Sequence, residues 1–210
     1  MTEQLKQQPT TEELILQAAE KEFLEKGYSG AKTTAIAEAA GVTHAMFHYY
    51  FRTKDKLFEK IVAEKMEQLK DLMFAAIGNP ELPLKDRIIQ GVESHFDFIA
   101  TNPLLPRFLF NELYLNRDRI EGAKGRLIGI ANSCINDLQS AIDNEAARGG
   151  CRKAEARMVL LDIISLNIFP FIVEPVLNGI LASTNESFES LLEKRKKENV
   201  KTILGKLNLL

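Results

Sequence analysis

The chain has only two cysteines in 210 residues, Cys134 and Cys151. They give neither a disulfide framework nor a zinc pattern, so a reducing cytoplasm is the expected setting. The stretch MTEQLKQQPTTEE is polar and lacks the apolar core expected of a signal peptide. The most apolar run, Met158 to Val173, is interrupted by Asp162, Asn167 and Pro170. It reads as a buried helix rather than a membrane span. There is no run of alternating β-branched residues long enough for a strand, and no internal repeat. No nucleophile–base pair, phosphate loop or metal cluster is visible, which argues against an enzyme using a C-terminal cavity.

One further absence is local. Ala39 through Lys54 contains no Asp or Glu, in a chain that is 27% charged and has a net charge of −2. The same window holds His44, His48, Tyr49, Tyr50, Arg52 and Lys54, all able to donate to phosphate oxygens. An acidic protein binds DNA only if its basic groups are segregated in this way.

The window lies in TTAIAEAAGVTHAMFHYYFRTKDK, residues 33–56. Thr33 and Thr34 offer hydroxyls to cap a first helix through Ala40, Gly41 supplies a C-cap turn, and Val42 plugs the angle. Thr43 caps a second helix, His44 to Tyr50, and Thr53 a third. Helices this short are marginal alone. Packed across a glycine turn they make a helix-turn-helix whose second helix enters the major groove.

Thr33-Thr34, Ile36-Ala37, Ala40-Gly41-Val42-Thr43, Tyr49-Tyr50-Phe51, Lys54 and Leu57 together resemble the DNA-binding domain of the TetR/AcrR family of transcriptional repressors. The close match covers roughly residues 10 to 60. Two positions depart from the family pattern. Ala45 stands where many members have glycine and His48 where many have tyrosine, which bears on operator sequence and affinity. The resemblance implies an all-α protein: a three-helix head over residues 1–56 and a helical effector-binding and dimerisation domain over 57–210. It implies phosphate contacts from Thr33, Thr43, Tyr49, Tyr50 and Lys54, with Thr34 and His48 also at the DNA face. His44, Ala45 and Met46, first in the recognition helix, are expected to face base edges. It also implies a homodimer through the last two helices, matching a palindromic operator on double-stranded DNA.

Periodicity places further helices from Lys54 to about Ile77, Pro83 to Ala100, Leu104 to Leu115, Arg119 to Ala147, Lys153 to a break at Pro170, and Ser187 to Leu207. Leu72 belongs to the expected inward stripe of the first of these, and Glu193–Lys197 is an expected ion pair on the last. The aromatics and lone polar groups of the second half give a candidate pocket: His95, Phe96, Phe108, Glu112, Phe169 and Glu174. Each has a structural alternative, His95 as a core histidine and the carboxylates as paired groups. The effector, unidentified, is expected to be a small apolar or amphipathic molecule. Apolar stripes on the last two helices, Val159, Ile163 and Leu166 with Leu191, Leu192, Val200 and Ile203, are the expected dimer interface. No cofactor is expected, and no metal, because His44 and His48 lack an acidic or thiol partner nearby in sequence.

Overall fold

The computed structural model describes residues 9–115, 117–184 and 186–210, and the side chains of all of these except 113–115 and 117–120. Among the described residues every element is a helix: α1 (Thr11–Gly30), α2 (Thr33–Ala39), α3 (His44–Tyr50), α4 (Lys54–Ala76), α5 (Leu84–Thr101), α6 (Leu105–Leu115), α7 (Arg117–Ala147), α8 (Ala156–Ile172), α9 (Glu174–Leu181) and α10 (Phe188–Leu207). The protein is all-α, with a helix-turn-helix head at its N-terminus.

Capping residues set the head. Thr10 accepts from the Glu13 amide while Glu13 reaches back to the Thr10 amide, closing a capping box on α1. Thr43 and Thr53 cap α3 and α4 through the Met46 and Lys56 amides. Gly41 takes a φ of 68° between α2 and α3, which a side chain would resist. The α2 cap differs from expectation. Lys32 stands at its N-cap with no side-chain bond, and Thr33 is already the first helical residue. Thr33 therefore has its hydroxyl free for another partner.

Ile15, Ala19, Phe23, Ile36, Phe47, Phe51 and Leu57 bury the centre of the head. Phe58, on α4, joins it to the rest of the molecule, packing edge-on against Phe23 and Tyr28 and tilted against Phe108 of α6. Lys65 adds a polar tie, with its ammonium 2.8 Å from both the Glu20 carboxylate of α1 and the Asn102 side-chain oxygen after α5. The 56/57 division falls inside the first turn of α4, so one continuous helix serves both halves.

In the second half α5 is central, packed on α4, α8 and α10. Ile88, Val92, Phe96, Leu138, Ile142, Val159, Ile163, Ile203 and Leu207 form its core. Pro170 does not break α8 as expected. It lies buried near the C-terminal end, and the chain turns by 65° at Val173, where Pro175 opens α9. Leu72 is exposed rather than inward, and Glu193 meets Lys196 rather than Lys197. Among the described residues no single helix is long and apolar enough to cross a membrane, although α8 and α9 together pass that test as a bent pair.

Candidate nucleic-acid interface

The recognition helix divides cleanly. Phe47 is fully buried and Phe51, just beyond the helix, nearly so, whereas His44, Ala45, Met46, His48, Tyr49 and Tyr50 are all exposed. Tyr49 is 82% exposed, far more than a core aromatic tolerates. Thr34 and Thr43 are exposed beside it, and Thr33 is half-buried. Residues 39–54 thus expose hydroxyls, imidazoles and phenols with no carboxylate among them. Arg52 is exposed in the same stretch, and Lys32, exposed just before α2 with its amide donating to the Glu22 carboxylate at 3.3 Å, was missed in the sequence because it precedes that stretch.

Lys54 is placed elsewhere than the resemblance implies. Its ammonium donates to the Tyr28 and Ala31 carbonyls at 2.9 and 3.0 Å and sits 4.3 Å over the Tyr28 ring. It therefore satisfies the C-terminal carbonyls of α1. The neighbouring Asp55 accepts from the Tyr28 hydroxyl at 2.6 Å.

The six candidate pocket residues are not brought together. His95 and Phe96 are buried between α5 and α8, where Asn167 donates to His95 Nδ1 at 3.1 Å. Burial pushes the His95 pKa down to about 4, so the ring is neutral. Phe108 packs on Phe58, and Glu112 is buried on α6. Phe169 is largely exposed and Glu174 half-buried. Two openings lie on the surface. A groove of about 550 Å³ between α6 and α8 is lined by Arg107, Phe110, Asn111, Leu161, Ile168 and Phe169 among others. Another of about 310 Å³ lies between α4 and α7, beside Met73, Phe74, Gly129 and Cys134.

The expected dimer residues are corrected in part. Val159, Ile163 and Ile203 are fully buried within the chain against its own core, and Leu166, Leu192 and Val200 pack partly against it, as Leu191 is partly covered. A group already buried in one chain has no apolar surface left to give a partner. Among the described residues the large apolar side chains exposed on α6, α8 and α9 are Phe110, Met158, Leu161, Phe169, Val176 and Ile180.

Fold and surface together define a helix-turn-helix DNA-binding head on an all-helical body. Residues 15–61 match the family described as bacterial regulatory proteins, tetR family, so the chain carries a domain of that family. It is 28% identical over 99 residues to the HTH-type transcriptional regulator YdgC of Bacillus subtilis (strain 168), covering 46% of this chain and 51% of that one. The chain thus spans about half the length of that curated relative. It is 23% identical over 181 residues to the fatty acid metabolism regulator protein of the same strain, covering 85% of this chain and 92% of that one. The crystal structure of the transcriptional regulator FadR from Bacillus subtilis, in complex with stearoyl-CoA, superposes with a TM-score of 0.58 at 19% identity, over 89% of this chain and 96% of that one. At that identity the likeness speaks for the fold.

Proposed function

We propose that the protein is a homodimeric transcriptional regulator of repressor type, released from a palindromic operator by a small apolar or amphipathic ligand. The observation that carries this reading is the exposure of every α3 side chain except Phe47, within a stretch, residues 39–54, that contains no carboxylate. Packing does not need these side chains, so a partner does. Polar groups on a short helix behind a glycine turn suit the major groove. The α6–α8 groove, apolar with Arg107 in its lining, suits an amphipathic effector, and FadR, of like fold, is seen in complex with the amphipathic stearoyl-CoA. Effector binding favours a head spacing that no longer matches successive major grooves.

A second reading, a regulator with no ligand, draws support from the closed packing around His95, Phe96 and Phe108. Titration of the purified protein onto DNA from upstream of its own gene, against a scrambled duplex and with Tyr49→Ala alongside, tests the shared part. Sequence-preferring binding weakened by Tyr49→Ala is expected, and equal binding to both duplexes would sink it. A ligand that binds yet leaves operator affinity unchanged at every concentration would remove the effector-release step.

A further inference from the structure

Thr33 opens α2 and His44 opens α3, and their side chains meet across the turn, with Thr33 Oγ1 3.3 Å from His44 Nε2. The His44 ring is held on two more sides. His48 meets it edge to face at 4.4 Å between centroids, and Phe47 lies parallel at 6.1 Å. The Thr43 cap fixes the backbone from which His44 projects. His44 is exposed, and its other nitrogen, Nδ1, has no hydrogen-bond partner among the described residues.

Which role Nδ1 plays depends on which nitrogen carries the proton. A threonine hydroxyl has one hydrogen to give and lone pairs with which to accept. A phosphate oxygen only accepts. Once Thr33 gives its hydrogen to a phosphate, its oxygen can meet Nε2 only as an acceptor. Nε2 then carries the proton, and Nδ1 of the neutral ring is left with a lone pair. In the major groove a lone pair pairs with the amine of adenine or cytosine, and is repelled by guanine N7 and O6.

We infer that Thr33 is a positioning residue: it gives its hydrogen to a backbone phosphate, accepts from His44 Nε2–H, and so makes His44 a reader of adenine or cytosine amines. This rests on the reading of α3 as a recognition helix.

The test is selection of binding sites from a randomised duplex by the full-length wild type, Thr33→Val, Thr33→Ser and His44→Ala, with thermal melting to confirm that each variant folds. Wild type is expected to select a motif with adenine or cytosine at one position of each half-site. His44→Ala and Thr33→Val lose about tenfold in preference at that position and keep the rest of the motif, while Thr33→Ser retains it. Guanine at the position lost by His44→Ala would overturn the inference, as would a Thr33→Val protein that binds all sequences uniformly more weakly. Both outcomes leave the DNA-binding reading standing. A wild type that selects no motif would overturn both.

Discussion

Asn167 on α8 donates its side-chain amide hydrogens to two groups of α5, the Val92 carbonyl at 2.9 Å and His95 Nδ1 at 3.1 Å. Its own oxygen accepts from Asn199 of α10 at 2.9 Å, so three helices meet at one buried side chain. The Val92 carbonyl fixes which end of the amide faces α5, and this requires an unprotonated Nδ1. A folded pKa near 4, against about 6.5 in the unfolded chain, means that the unfolded state binds the extra proton between those values. Stability tied to His95 is therefore complete above pH 6.5, falls as pH drops, and levels off below 4. The loss is about 3 kcal/mol. Urea melts of wild type and His95→Gln between pH 4 and 7.5 measure it. The two curves are expected to diverge on the acid side, and parallel curves would show that His95 does not carry the dependence.

Lys65 is one polar tie between head and body. Its side chain is only 14% exposed, and its ammonium holds both Glu20 and the Asn102 oxygen. Lys65→Met keeps the stem and removes the charge, leaving a partly covered carboxylate and an amide without their donor. A loss of about 1–2 kcal/mol is expected, more than an exposed ion pair yields. Differential scanning calorimetry at low and high salt checks this. An unchanged melting temperature would mean that this tie adds nothing measurable to the other contacts that join the two parts.

The head was legible in the sequence because its signals are local. A capping threonine, a glycine at positive φ and an alternation of buried and exposed residues within seven positions each follow from neighbours in the chain. What was not legible depended on distant partners. Lys54 reads as a phosphate ligand until the carbonyl ends of α1 are seen beneath it. Val159 and Ile163 read as an interface because α8 is apolar on nearly every side, so its periodicity does not say which face is inward. His95 and Phe169 were grouped by composition, yet one lies in the core and the other faces out. Their separation is set by the rotation of α8 against α5, which no short window encodes.

That rotation yields a prediction about self-association. Met158 on α8 and Val176 on α9 are exposed outside the lining of the α6–α8 groove, whereas Ile163 is buried. If that outward face is the dimer surface, Met158→Glu and Val176→Glu give monomers by sedimentation velocity. Single surface changes of this kind should alter the monomer's own stability by no more than about 0.5 kcal/mol. Ile163→Ala should do the opposite, costing about 2–4 kcal/mol of folding stability without specifically abolishing association. Glutamate variants that remain dimeric would place the interface elsewhere.

Lys54 and Arg52 separate a structural cation from a DNA-facing one. Lys54 is committed to the Tyr28 and Ala31 carbonyls, whereas Arg52 is exposed in the bend between α3 and α4. Lys54→Met is expected to lower the stability of the head by about 1–3 kcal/mol, because it strands two carbonyls at the end of α1. The salt dependence of DNA binding should stay as it was. Arg52→Ala should leave folding unchanged and reduce the slope of log affinity against log salt by about one, the value of a single lost phosphate contact. Binding isotherms at four or more salt concentrations, paired with melting curves, give both numbers. If Lys54→Met reduced the salt slope and left melting unchanged, its ammonium would have to leave the carbonyls on the operator, and the position implied by the family resemblance would hold after all.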